Sequence, residues 1–163
     1  MMRPMPTTGE NAYARFTEAL GEPPVTGAWV EISQERINAF ADATDDHQFV
    51  HVDPAACAQY SPWGVPVAHG FLTLSMLTHL VSSVPQDPRR GEGRLMGMNY
   101  GFDRVRFLSP VKVGSRIRAS TTVAAVDLKD PNTLQLTQTV TVEIEGEDKP
   151  ALVCAWLTRH VYG

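Results

Sequence analysis

The sequence has few cysteines, no long apolar run and no excess of basic residues. Its 163 residues include only two cysteines, Cys57 and Cys154, too few for a disulfide framework, so we expect both in the core and a reducing compartment. The absence of 18 consecutive apolar residues excludes a membrane-spanning helix. A net charge of −4 disfavours a nucleic-acid binder, because such proteins carry basic surfaces. Residues 1–9 lack the apolar run of a signal peptide, and the expected location is the cytoplasm.

Length and hydrophobic spacing predict one domain that spans residues 1–163, in which 1–24 form an N-terminal extension with a short helix at about 11–20. A first strand is expected at 26–32. Ser33 is a candidate N-cap for a helix that runs to about Thr44. Asp53 and Pro54 then open a short helix that reaches about Gln59.

The segment from Gly70 to Val84 is so apolar that we expect a helix buried nearly all round. The rest of the chain reads as four long strands, at about 96–107, 115–127, 133–145 and 150–161. Residues 133–145 alternate between apolar and polar positions, with Gln138 as the one polar residue on the apolar face. These patterns predict an α+β fold, a curled antiparallel sheet wrapped around a central buried helix. Its long edge strands favour at least a homodimer.

Polar residues concentrate between positions 42 and 70, on loop-like sequence where functional residues are common. Asp46 and His51 fit an acid/base pair that activates water in a partly dehydrated pocket. His47 and His51 have the spacing of a zinc-protease motif, but Gln48 replaces the glutamate base, so a metal site is disfavoured. Serine and cysteine lack the context of an activated nucleophile.

The longer string around this pair resembles the MaoC-like dehydratase family, which includes the R-specific enoyl-CoA hydratases, over roughly residues 25–160. The family's motif is an Asp, a His five residues on and an Asp two residues later, followed by a His-Gly segment. The chain has Gln48-Phe49 where many members have Asn-Pro, and this variant resembles the nodulation-protein-N-like branch. The matching residues are Asp46, His51, Asp53, His69 and Gly70.

The resemblance implies a hot-dog fold and the addition of water to a trans-2-enoyl thioester, or the reverse dehydration. Asp46 and His51 would hold and activate the water. The Gly70 N–H would bind the thioester carbonyl, which also suits the start of a helix, where N–H groups are unpaired. His69 is a candidate substrate contact, although a local structural role is the alternative. Asp53 is interpreted as a helix cap.

A basic stretch is the candidate site for the phosphates of coenzyme A. No acidic residue occurs between positions 104 and 126. Arg104 and Arg106 are two residues apart and therefore on one strand face, as are Arg116 and Arg118. Phe49 and Trp63 are candidates for lining the acyl site. Coenzyme A would enter as part of the substrate, with no separate cofactor, no metal and no membrane or nucleic-acid partner.

Two other functions are compatible with the same fold. A hot-dog thioesterase needs a carboxylate and a carbonyl-binding glycine, but not an Asp/His pair that holds water. A non-catalytic binder of acyl thioesters has no use for two dehydrated titratable groups. The pair Asp46 and His51 therefore favours the hydratase.

Overall fold

The computed structural model describes residues 5–163, which form a six-stranded curled antiparallel sheet with helices. The helices and strands, with a 3-10 turn at Pro88–Gly91, follow one another as α1 (Thr8–Thr17), β1 (Val25–Thr26), β2 (Val30–Glu31), α2 (Gln34–Thr44), α3 (Phe49–Val52), α4 (Pro54–Tyr60), α5 (Gly70–Ser75), α6 (Leu77–Ser82), β3 (Arg94–Phe107), β4 (Arg116–Asp130), β5 (Thr133–Ile144) and β6 (Leu152–Tyr162). The predicted α+β class, the four long strands and the helices after Ser33 and Asp53 are confirmed.

The sheet order is β1-β4-β5-β6-β3, with β2 also paired to β4. The predicted alternation in β5 is confirmed, because its apolar positions are buried. The single strand predicted at 26–32 is instead the two short strands β1 and β2, since the chain between them bonds to the sheet only through Gly27 N–H and Ala119 O. Burial of both Cys57 and Cys154 is confirmed, and burial raises the pKa of Cys154 to about 11.

The central helix is present, but the prediction that it is buried all round was wrong. It is divided at Met76 into α5 and α6. One face is buried against the sheet, and the opposite face is exposed because its side chains are mostly small or polar. The buried face consists of Leu72, Thr73, Met76, Leu77, Leu80, Val81 and Val84. The exposed stripe consists of Phe71, Ser75, Thr78 and Ser82.

Helix α1 begins three residues before the predicted start. The Thr7 side chain accepts a hydrogen bond from the Glu10 N–H, and the Glu10 carboxylate accepts one from the Thr7 N–H, which is a capping box. The signal for this start is present in the sequence as Thr7 followed three residues later by Glu10. Phe16 of α1 packs with Leu134 and Tyr162 in a second hydrophobic cluster on the sheet. Of the predicted extension 1–24, residues 1–4 lie outside the described part.

Strand β3 is an edge strand whose apolar side chains are unusually exposed. It pairs with β6 on one side, and its other side has no partner among residues 5–163. An edge strand of 14 residues with exposed apolar side chains is a template for pairing with another chain. The exposed side chains include Leu95 at 69%, Met96 at 52%, Met98 at 42%, Tyr100 at 54% and Phe107 at 48%.

Because His160 is buried, we predict that acid destabilises this fold. Burial, followed by the Arg94 guanidinium, lowers the pKa of His160 from 6.5 to about 4. The unfolded chain therefore protonates this side chain first, and stabilisation present above pH 6.5 is lost as the pH falls toward 4. We expect a loss of about 2–3 kcal/mol from this group between about pH 7 and about pH 4.5. Urea unfolding at both pH values should show a smaller loss of unfolding free energy for His160→Gln than for the native protein. Equal losses in the two proteins would contradict the role of His160.

Candidate active site

The end of helix α2 sets the position of Asp46. Asp45 is the C-cap residue of this helix, and its φ of 57° and ψ of 22° place it in the left-handed region. This conformation turns the chain sharply, as a terminal glycine does in many helices. Asp46 therefore leaves the helix end directly toward α3, and its side chain remains exposed.

The left-handed conformation of Asp45 can be tested by substitutions that change stability. A β-branched side chain is strained in the left-handed region, so Asp45→Val should lower the free energy of unfolding by about 1–2 kcal/mol. Asp45→Gly relieves the backbone and should be at least as stable as the native chain. Urea denaturation measures both variants, and equal stability of the valine and glycine variants would contradict the conformation.

His51 lies on the short helix α3, and its tautomer follows from one hydrogen bond. Its Nδ1 lies 2.6 Å from the carbonyl oxygen of Val67. A carbonyl can only accept, so Nδ1 carries the proton and donates it. The Nε2 atom of the neutral ring is left with a free lone pair, which is the state of a general base.

His69 contacts both residues of the predicted pair, Asp46 and His51. It is only 3% exposed, and its Nε2 donates to the backbone carbonyl of Asp46 at 2.9 Å. Its ring stacks on the His51 ring with 3.7 Å between centroids, and Phe40 packs nearby at 5.0 Å. The structure thus places His69 behind His51 as a support for both residues, and not on the cavity wall where a substrate contact was predicted.

Asp46, His51 and His69 each offer a ligand atom, and these atoms lie within 4.8 Å of one another. Two groups bonded to one water at about 2.8 Å stand about 4.6 Å apart, so these atoms lie close enough together to share a water molecule. His47, the other histidine weighed as a zinc ligand, bonds instead to Asp42 at 2.9 Å, and this bond raises the pKa of His47.

A cavity of about 350 Å³ opens beside His51. Gln48, Trp63, Gly70 and Thr73 line it together with the segment 107–111. Of the two aromatic residues predicted to line the acyl site, Trp63 is on the wall, whereas Phe49 is 41% exposed and is not among the lining residues. The cavity is large enough for the reacting end of a small organic thioester.

Gly70 lies on the cavity wall as the first residue of α5. None of the described residues accepts a hydrogen bond from its N–H. The Phe107 ring also lines the cavity and lies against this glycine, so that a Cβ added at Gly70 would lie 3.0 Å from Phe107 Cδ1. Only glycine therefore fits beneath this ring without moving it. Residues 107–111, which carry Phe107, were not recognised in the sequence as part of the site.

The four arginines of the basic stretch divide into two pairs. Arg116 forms an ion pair with Glu145, and Arg118 with Glu143. Glu143 lies in β5 and Glu145 in the turn that follows it, so a search for acids nearby in sequence could not find them. Arg104 and Arg106 are exposed at the end of β3, and no acidic residue of the described chain lies within ion-pair distance of them. Phe107, which follows them, lines the cavity.

Asp53 caps a helix, as predicted from the sequence. Its carboxylate accepts a hydrogen bond from Ala56 N–H at 2.9 Å, at the start of α4. No helix among residues 5–163 is long and apolar enough to cross a bilayer.

Comparison with known proteins identifies the family. A model of the MaoC like domain matches residues 15–145. The chain belongs to the MaoC-like domain family. It is 48% identical to nodulation protein N of Rhizobium meliloti over 148 residues, 91% of this chain and 90% of that protein. It is 43% identical to 3-hydroxyacyl-thioester dehydratase Z of Mycobacterium tuberculosis over 150 residues, 92% of this chain and 96% of that protein. The predicted family and the prediction of a hydro-lyase are confirmed.

Solved structures of the family share the fold. The (R)-hydratase from A. caviae has a TM-score of 0.65 at 22% identity, covering 83% of this chain and 92% of that one. A MaoC-like dehydratase from Rhodospirillum rubrum has a TM-score of 0.67 at 22% identity, covering 89% and 94%. The predicted hot-dog fold is therefore confirmed.

Proposed function

We propose that this protein adds water to the double bond of a trans-2-enoyl-CoA to give an (R)-3-hydroxyacyl-CoA, or catalyses the reverse dehydration. The observation that carries the proposal is His51, which lines the cavity together with Gly70, keeps Nε2 free, and has a ring nitrogen within 4.8 Å of the Asp46 carboxylate. Relatives named for 3-hydroxyacyl-thioester dehydration support the class of substrate.

Asp46 and His51 act together on one water molecule. The carboxylate and the free His51 Nε2 are both acceptors, so each can take one hydrogen of that water and orient its oxygen lone pair. The oxygen attacks C3 of the enoyl group while the pair takes up one proton, and the pair returns a proton to C2. Both additions come from the same side of the substrate, so the addition is syn. Such proton transfer contributes about 10²–10⁴-fold to a rate.

Gly70 stabilises the charge that this attack creates. As the oxygen bonds to C3, electron density moves to the thioester oxygen and forms an enolate. The unpaired Gly70 N–H on the cavity wall can donate to that oxygen. A single donor in this role is worth about 3–4 kcal/mol.

Arg104 and Arg106 are the proposed contacts for the phosphates of coenzyme A. They have no carboxylate partner within the described chain, and they directly precede Phe107 at the cavity. Arg116 and Arg118 are weaker candidates, because each is already paired with a glutamate. Guanidinium groups without acidic partners are suited to bidentate bonds with phosphate.

We also propose that the protein forms a homodimer through the exposed edge of β3. An apolar strand edge of this length is ordinarily covered in a stable soluble protein. Light scattering coupled to gel filtration should give twice the mass of one chain, and replacement of Met96 and Met98 on β3 by lysine should shift it toward the monomer. A monomeric native protein would contradict this assembly.

The reaction class can be tested with crotonyl-CoA and longer trans-2-enoyl-CoAs. Loss of the enoyl-thioester absorbance without release of free thiol is the expected result. Release of thiol at a rate equal to the absorbance loss would identify a thioesterase instead. Binding of acyl-CoA without turnover on any chain length would leave only a binding protein.

A further inference from the structure

A second cavity, of about 300 Å³, lies between α6 and strands β3, β5 and β6. It is separate from the cavity at His51, and its lining is unusually polar for the inner face of a sheet. The polar lining includes Thr78, Ser82, Asn99, Gln138, Thr158 and His160.

Three of these polar residues replace apolar ones on the face that forms the core. Gln138 is the polar residue that interrupts the apolar alternation of β5. Thr158 and His160 of β6 are 7% and 9% exposed. Polar groups in such positions cost free energy unless hydrogen bonds compensate for the lost water. Thr158 and His160 offset part of this cost by bonding to each other, and a polar ligand group would satisfy what these side chains leave unpaired.

The hydrogen bonds of this cluster leave a donor available. Arg94 lies with a guanidinium nitrogen 3.4 Å from His160 Nδ1; because a guanidinium only donates, Nδ1 accepts and Nε2 carries the proton. His160 Nε2 then donates to Thr158 Oγ1 at 2.9 Å, which leaves the threonine hydroxyl proton free to donate. Trp156 also lines the cavity, and its indole N–H has no acceptor among the described residues.

The charge of the cavity also favours an oxygen acceptor. Burial and the Arg94 guanidinium lower the pKa of His160 to about 4, so this side chain is neutral at physiological pH. No acidic residue of the described part of the chain lines the cavity, whereas Arg94 does. A ligand oxygen, uncharged or anionic, therefore meets donors and no repelling carboxylate.

The central helix runs from the proposed reaction centre to this cavity. Gly70 at its start lines the first cavity, and Thr78 and Ser82 of α6 line the second. Gly70 and Thr78 are eight residues apart, or about 12 Å at the helical rise of about 1.5 Å per residue. An extended acyl chain of about ten carbon atoms covers this distance.

We infer that the second cavity receives the distal part of the acyl chain and selects chains that carry an oxygen substituent, a hydroxyl, keto or carboxylate group, about ten carbons from the thioester. This inference rests on the proposed function, since it places the thioester at Gly70. It adds the class of substrate that the site prefers.

Binding of saturated acyl-CoAs tests the cavity without any turnover. By calorimetry, 12-hydroxydodecanoyl-CoA and the CoA ester of dodecanedioic acid are compared with dodecanoyl-CoA. We expect at least one of the two oxygenated ligands to bind about tenfold more tightly than dodecanoyl-CoA. The ligand that binds more tightly shows whether the cavity prefers a hydroxyl or a carboxylate. Thr158→Val, which is close in shape, should reduce this preference to less than about threefold, and Gln138→Leu is the second variant should the first fail to fold. Tightest binding of the plain chain to the native protein would overturn the inference.

Turnover of crotonyl-CoA separates this inference from the proposed function. Its acyl chain is too short to reach Thr158, so Thr158→Val should hydrate it at the native rate. Native turnover of crotonyl-CoA without any preference among the longer ligands would refute the second cavity alone. No turnover of crotonyl-CoA, together with an oxygen preference in binding, would refute the hydratase and leave a selective acyl-CoA binder.

Discussion

Asp46→Asn and His51→Asn should each lower kcat for crotonyl-CoA hydration by about 10³-fold. The asparagine at position 46 keeps the shape of the carboxylate but loses the charge and one acceptor for the water. At position 51 it removes the free Nε2, the ring atom that the bond to Val67 leaves available. Because both groups act on the same water, the double variant should be little slower than either single one.

Asp42→Asn is the matched control for this result. Asp42 is also an exposed carboxylate near the end of α2, but it bonds to His47 and is not part of the cluster of Asp46, His51 and His69. Its variant should retain activity within about twofold, since exposed ion pairs contribute about 0–1 kcal/mol. Thermal unfolding of all three variants checks that they are folded. Comparable activity in the folded Asp46 and Asp42 variants would remove Asp46 from the chemistry.

Gly70→Ala should lower kcat/KM by about 10²-fold, close to the effect of losing one oxyanion donor. The added methyl group meets the Phe107 ring at 3.0 Å, and that ring, which lines the cavity, must shift to make room. The methyl group and the shifted ring together narrow the approach to the Gly70 N–H. Steady-state kinetics with crotonyl-CoA measures the change.

A second substitution separates crowding from a general effect of alanine. Gly70→Ala combined with Phe107→Leu should recover part of the activity, because the smaller side chain leaves room for the methyl group. Gly91→Ala, where a Cβ meets nothing within 4 Å, should behave as the native protein. No recovery in the double variant would show that Phe107 does not mediate the loss.

Much of the fold was predictable because its signals are local. Alternating residues in β5, the cap at Ser33 and the Asp53-Pro54 helix start each depend on neighbouring positions, and each agrees with the structure. The central helix was misjudged because counting its apolar residues overlooked that Ser75, Thr78 and Ser82 share a face. A prediction of burial for this helix required a comparison of the residues on its two faces, and not only a count of its apolar residues.

The candidate site was predictable in part. Asp46 and His51 could be predicted as site residues from their spacing and from the family resemblance. Their hydrogen bonds could not be predicted, because the partners lie far away in the sequence. Val67 orients His51, and the bond from His69 to the Asp46 carbonyl links residues 23 positions apart. The carboxylates that neutralise Arg116 and Arg118 come from β5 and the turn after it. Contacts between residues so far apart in the chain cannot be deduced from local sequence.

The configuration and mass of the product of crotonyl-CoA test the central claim most directly. We expect the native protein to give (R)-3-hydroxybutyryl-CoA, one water heavier than the substrate, and Asp46→Asn to give none above the uncatalysed rate. Chiral chromatography with mass spectrometry measures both properties in one experiment. Free coenzyme A, an (S) product or an unchanged yield from the Asp46 variant would contradict water addition by Asp46 and His51.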